Sequence, residues 1–204
     1  MQLAVVPPLH PAIDLALAHC KSGGVICYPT DTLYGLGGDA TRSDVVRRIL
    51  DIKGRGAQSP FSVIFHDLEA AKEYVDLGAK TCRILSRHLP GPLTLMLPVR
   101  KGLPVTPGPL LGCRVPKNEF CLELARKFGK PIITTSANRH GRPPARSAQE
   151  LDEAVLEGVD LLVDGGPCPA GVGSTIVDLA GMRIVRKGAA DEAAQEILKA
   201  LGKS

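Results

Sequence analysis

Small hydroxyls, glycines and cations gather at a few places in this sequence, and together they are suited to holding a small anionic ligand. The first place is CYPTDTLYGLGGDAT, Cys27 to Thr41. Thr30, Asp31, Thr32 and Tyr34 offer hydroxyls, a carboxylate and a phenol at a bend, and Gly35, Gly37 and Gly38 let the backbone turn or approach a ligand. Two readings fit: a ligand site at a strand end, or a tight turn whose threonines cap local amides. The second place is DIKGRGAQSP. Lys53 and Arg55 stand two apart at a helix end, where they either grip one anion or cap the helix C-terminus as cations. The third is PIITTSANRHGRPPARS, where Thr134, Thr135, Ser136 and Asn138 close an apolar strand and Arg139, Arg142 and Arg146 follow. A polar strand end with a basic loop suits a phosphate-rich ligand, or is a turn with a solvated basic face. Lastly, Arg114 and Arg186 sit among strand apolars, and Ser174 and Thr175 follow Gly171 and Gly173. An arginine in such a run needs an anionic partner or a solvent-facing position.

Several other chemistries are disfavoured. Neither GxxxxGK[ST] nor a GxGxxG with a later acidic residue is present. Six cysteines are scattered without a CxxC pair, which argues against a zinc site. His10, His19, His66, His88 and His140 show no catalytic partner, and Cys113 beside Arg114 reads as a buried structural thiol. Asp31, Asp39, Asp164 and Asp178 lack diagnostic metal-ligand spacing, so the sequence names no metal ligands.

These residues need strands and helices to position them. The pattern predicts a helix over Pro11–Lys21, a strand VICYPT ended by Pro29, and a helix after Ser43 as its cap. It continues with strand PFSVIF, helices DLEAAKEYV and CRILSRHL, strands LTLMLPV and GCRVP, helix EFCLELARKFG and strand PIITTSA. A helix capped by Ser147, strands VDLLVDGG, STIVDLAG and MRIVRKG, and a C-terminal helix complete the order. Interleaved strands and helices predict an α/β or α+β domain with a mixed sheet. The 204 residues suit one domain over 1–204, and a 44% hydrophobic, 3% aromatic composition suits an aliphatic core better than a base-stacking platform. The formal net charge of +4 allows an anionic small molecule or an RNA. No signal peptide or membrane-length apolar run is read, so a cytoplasmic enzyme with reduced thiols, not a membrane protein, is expected.

Taken in order, GGVICYPTDTLYGLGGDAT, KGR at Lys53 to Arg55, SPFSVIF, LPGPLTLMLP, GCRVP, PIITTSAN, RHGRPP, GGPCPAGVGSTIVDL and RIVRKGA resemble the YrdC-like family. The likeness runs from about Gly23 to Gly188, and the pairing of K-x-R with a later S-x-N marks the catalytic branch. The resemblance implies an α/β fold of YrdC-like, RibB-like type: a single domain with a twisted mixed sheet and flanking helices around a basic concave cleft. The chain ends soon after the last motif, so the single-domain bacterial form is expected. The implied activity is nucleotidyl transfer by a threonylcarbamoyl-AMP synthase. L-threonine, bicarbonate and ATP, with Mg²⁺, give threonylcarbamoyl-AMP and pyrophosphate. A threonylcarbamoyltransferase complex then uses the product to modify adenosine 37 of tRNA.

By the same resemblance, Thr32, Tyr34, Arg114, Thr134 and Ser174 fall at L-threonine-contacting positions. Lys53, Arg55, Ser59, Ser136, Asn138 and Arg186 fall on the ATP side, with Lys53 and Arg55 as the catalytic cations. His66 stands farther from its strand than the histidine of many relatives, so no role passes to it; Pro144 replaces a frequent serine, which leaves Arg142 and Arg146 as minor candidates for a nucleotide contact. The rival expectation is a non-catalytic module that holds tRNA or double-stranded RNA through its phosphates.

Overall fold

Apolar side chains alternate between the two faces of the strands, and this alternation decides where the helices lie. The computed structural model describes residues 1–6, 9–54, 60–106 and 108–202. Among these, the strands are β1 (Gln2–Val5), β2 (Ile26–Tyr28), β3 (Gly35–Gly37), β4 (Ser62–Ile64), β5 (Leu93–Pro98), β6 (Leu110–Arg114), β7 (Ile132–Ser136), β8 (Leu161–Asp164), β9 (Thr175–Asp178) and β10 (Arg183–Arg186). The helices are α1 (Leu9–Ser22), α2 (Ser43–Lys53), α3 (Leu68–Ala71), α4 (Ala79–Leu85), α5 (Glu119–Phe128), α6 (Glu153–Gly158) and α7 (Asp191–Leu201). The strands join in the order β1-β8-β2-β3-β7-β4-β6-β5-β9-β10. Parallel pairs (β1/β8, β2/β8, β4/β6, β5/β9) mix with antiparallel ones, as expected for this α/β fold.

Ile26, Tyr28, Ile64, Ile132, Leu161 and Val163 face one way and pack with α1 and α5. Their neighbours Cys27, Val63, Ile133 and Leu162 face the other way and pack with α2, α4, α6 and α7. The core-cluster residues of β5, β6 and β9 (Leu93, Leu95, Leu97, Leu111, Cys113 and Val177) all belong to this second layer. Their opposite face carries Thr94, Arg114 and Ile176 instead, and there the sheet borders a cavity. So one half of the sheet is packed on both faces, and the other half is packed on one.

Four local expectations need correction. The glycine bend after Pro29 contains a strand, β3, threaded antiparallel between β2 and β7. Gly37 is required there, because a Cβ would lie 2.4 Å from Ile133 O and 2.7 Å from the Tyr28 ring. Ser43 is the first residue of α2 and not its cap; Arg42 occupies the cap, and its side chain pairs with Asp44. The segment after Ser147 is a short 3-10 turn, Ala148–Glu150, and the helix starts anew at Glu153, where Asp152 accepts the Ala154 N–H. Finally, β1 precedes α1 as an edge strand paired to β8, which the helical pattern starting at Pro11 did not suggest.

Candidate active site

The cavity has a volume of about 390 Å³, within the range of small-molecule sites. The end where the family resemblance places L-threonine, the amino-acid end, is built on strand ends. Arg114, the last residue of β6, is 7% exposed. Its Nη2 donates to Asp31 Oδ1 at 2.6 Å and to Thr32 Oγ1 at 3.2 Å. The second Asp31 oxygen accepts the Lys117 N–H at 3.0 Å. The turn carrying Asp31 is shaped by Thr30, whose hydroxyl accepts the N–H groups of Thr32 and Leu33 and lies 2.7 Å from Leu33 O. Both readings of the opening stretch therefore hold: the turn is capped by its own threonine, and it lines a cavity.

Two further pairs of hydroxyls complete this end. Thr134 on β7 stands opposite Ser62 on β4, and both line the cavity. Ser174 Oγ lies 2.7 Å from Thr94 Oγ1 and 3.3 Å from Arg186 Nη2, which also donates to Ser174 O at 2.9 Å. Burial, with the nearby Arg114 charge, pulls the Arg186 pKa below that of an ordinary arginine. Two guanidiniums that line one cavity form a natural anion site.

The end where the resemblance places ATP, the nucleotide end, is a network around β7. The αL glycine Gly54 (φ 61°) stops α2 and leaves Lys53 on its last turn, fully buried. Lys53 Nζ donates to Ser136 O at 2.5 Å, Asn138 O at 2.9 Å and Asn138 Oδ1 at 3.3 Å. Ser136 Oγ donates to Asn138 Oδ1, and Asn138 Nδ2 donates to Arg142 O at 2.6 Å. The lysine of K-x-R and both polar residues of S-x-N are thus one hydrogen-bonded unit, and Ser136 lines the cavity. Arg55 and Ser59 lie outside the described residues.

Tyr34 lines the cavity, but its phenol is engaged at the end of β8. The oxygen lies 2.9 Å from Gly166 O and 3.1 Å from Asp164 Oδ1, and accepts the Gly165 N–H. Burial pushes its pKa up. His66 borders a separate small recess, beside Asp67. Burial also drives up the Cys113 pKa, as a structural thiol requires.

Sequence reasoning missed Thr94, Ser62, Lys187 and the partnership of Asp31 with Arg114. Thr94 had a signal: it is the one polar residue between Leu93 and Leu95, on the face opposite those leucines. Among the described residues no three His, Cys, Asp or Glu side chains gather to hold a metal, and no carboxylate lines the cavity. The side chains present do not make a protein-held magnesium site.

A family model described as "Telomere recombination" (Sua5, YciO and YrdC) matches residues 18–188. The chain belongs to the Sua5/YciO/YrdC family. Within this family it is 37% identical over 164 residues to the threonylcarbamoyl-AMP synthase of Xanthomonas campestris pv. campestris (strain B100), covering 78% of this chain and 88% of that one. Among solved structures, P. abyssi Sua5 complexed with L-threonine is similar at TM-score 0.80 and 30% identity, over 92% of this chain and 57% of that chain. E. coli YciO is similar at TM-score 0.81 and 27% identity, over 92% of this chain and 95% of that chain. This Sua5/YciO/YrdC fold is the mixed-sheet α/β architecture described above.

Proposed function

We propose that this chain is an L-threonylcarbamoyladenylate synthase. It would convert L-threonine, bicarbonate and ATP to threonylcarbamoyl-AMP and pyrophosphate, for t6A37 formation in tRNA. One observation carries the reading: a buried Arg114, ringed by the hydroxyl residues Thr32, Thr134 and Ser174, shares a cavity with Ser136 of the Lys53–Asn138 network. A small zwitterion needs a cation for its carboxylate and short polar groups for its amine and hydroxyl, and a triphosphate needs cations and hydroxyls close by. The relatives named for this synthase, and the P. abyssi Sua5 that binds L-threonine, support the same assignment.

In the proposed reaction the neutral threonine amine attacks the carbon of bicarbonate, with loss of water, or of CO₂, with loss of a proton from the nitrogen to solvent, giving a carbamate. A carbamate oxygen then forms a bond to the α-phosphorus of ATP, and the bond to pyrophosphate breaks. Catalysis is positioning plus charge stabilisation, with Lys53, Arg55 and Arg186 as the cations on the ATP side. Mg²⁺ would enter with the triphosphate, whose oxygens are its ordinary ligands. Hand-over of the adenylate to a threonylcarbamoyltransferase complex, direct contact with tRNA and a cytoplasmic location belong to the same proposal. Among the described residues no helix is long and apolar enough to cross a membrane.

The test is pyrophosphate release from MgATP with bicarbonate, with L-threonine added or withheld, and mass detection of the adenylate. Threonine-dependent release with the adenylate mass is expected. Absence of release, with tight and steeply salt-sensitive RNA binding, would replace this reading by the RNA-binding one.

A further inference from the structure

We propose that Asp31 is a positioning residue for the amino-acid end of the cavity. Its carboxylate fixes the Arg114 guanidinium in the orientation that presents it to the substrate carboxylate. The inference rests on the reading that L-threonine binds here.

The geometry gives Asp31 no other task. It is 5% exposed, and both oxygens are taken, one by Arg114 Nη2 and the other by the Lys117 N–H. Its backbone carbonyl accepts the Ala170 N–H, so the residue is anchored from three sides. Arg114 is held at Nη2 by Asp31 and Thr32, yet its Nε is the one buried side-chain nitrogen or oxygen without a partner among the described residues. With Nη2 committed to these two partners, the guanidinium can meet a ligand in the cavity that Arg114 lines only in the plane they fix. A guanidinium grips a carboxylate through adjacent N–H groups in a fixed plane, so its rotation about the side chain must be set in advance. Asp31 sets it.

A neighbouring carboxylate also weakens the attraction of Arg114 for an anion. The cavity tolerates this because Arg186 and Lys187 line it as well, while Asp31 does not. The balance stays positive, and Asp31 trades some charge for a fixed orientation.

The experiment measures L-threonine binding by calorimetry, with KM for threonine and for ATP in the pyrophosphate assay. Asp31→Asn should weaken threonine binding about tenfold or more, the usual size of a lost hydrogen bond to a charged group. KM for ATP should stay within about twofold of wild type, which a general loss of fold would not allow. In an Arg114→Lys background, Asp31→Asn should add little, because the group it orients is gone. Asp31→Glu keeps the charge and moves it by one methylene. Should Asp31→Asn fail to fold, a raised threonine KM with an unchanged ATP KM in Asp31→Glu carries the same conclusion. Wild-type threonine affinity in either folded variant, or equal losses for threonine and ATP, would overturn the proposal. If the wild-type protein itself takes up no L-threonine, the functional reading fails first and this inference falls with it.

Discussion

The two ends of the cavity are built differently. The amino-acid end is assembled from side chains at strand ends, Arg114 on β6, Thr134 on β7 and Ser174 just before β9, locked by the short turn at Thr30 to Leu33. The nucleotide end hangs on one lysine from a helix terminus, which joins the carbonyls and amide of Ser136 and Asn138. The first arrangement selects a small ligand by preset polar geometry. The second gathers donors and carbonyls at the end of one strand, in keeping with a ligand whose many oxygens can be met in several ways. The contrast teaches that charge is spent differently at each end: a paired arginine for orientation, a buried lysine for cohesion.

The sharpest way to break this contrast is Arg114→Ala. It strands Asp31 as a buried, unpaired carboxylate, and loss of one partner of a buried pair costs about 3–5 kcal/mol. Urea unfolding should show that loss together with failure to bind L-threonine; unchanged stability would mean that the amino-acid end is not preset. Next is Lys53→Met, which keeps the stem and removes the charge. The turnover rate should fall about 10²-fold or more, the size of a loss of positioning, because Ser136 and Asn138 lose the group that holds them, while threonine KM changes little. An equal rise in threonine KM would merge the two ends into one unit. Gly37→Ala comes third. Its Cβ would push against Ile133 O and the Tyr28 ring, and overpacking of this kind costs about 1–3 kcal/mol, read as a lowered Tm.

The smallest effect concerns the rim. Asp191 accepts the Gly188 N–H and the Thr175 hydroxyl, and these bonds hold its pKa below the ordinary 3.8. A depressed carboxylate pKa stabilises the fold above the unfolded value and loses that contribution as pH falls through the folded one. Asp191→Asn should therefore melt earlier than wild type at neutral pH, and the two curves should converge below about pH 3.8. Parallel curves throughout would show that the ionised carboxylate does not hold the rim.

Much of the fold could be read from residue patterns. Val45, Val46, Ile49 and Leu50 recur at helical spacing and are buried on α2, and Leu93, Leu95 and Leu97 alternate on β5 as a strand with one packed face should. What escaped was short or rested on distant partners. GLG of β3 has no strand propensity of its own; it is a strand because β2 and β7 lie on either side. Ser43 was misread because a serine before a helical run ordinarily caps it, while here Arg42 takes the cap and spends its side chain on Asp44. The site was legible as a set of motifs, not as an arrangement. Nothing in the spacing places Arg114 beside Asp31, which is 83 residues away. Nor does it show that Lys53, polar and at a helix end, is wholly buried, because the carbonyls that accept its protons belong to the end of β7 and the turn after it.

The cavity walls run from Thr30 to Gly188 along the chain, and its floor spans β4, β6, β5 and β9. A growing chain that has not reached Gly188 lacks part of them, so it has no complete binding site until its last strands dock. Ligand capture then marks the completion of folding, and a saturating ligand shifts the equilibrium toward the finished state by mass action. Partial opening at the β9–β10 edge would empty the site while the α1–α5 layer stayed packed, so activity should fade before the bulk of the structure melts.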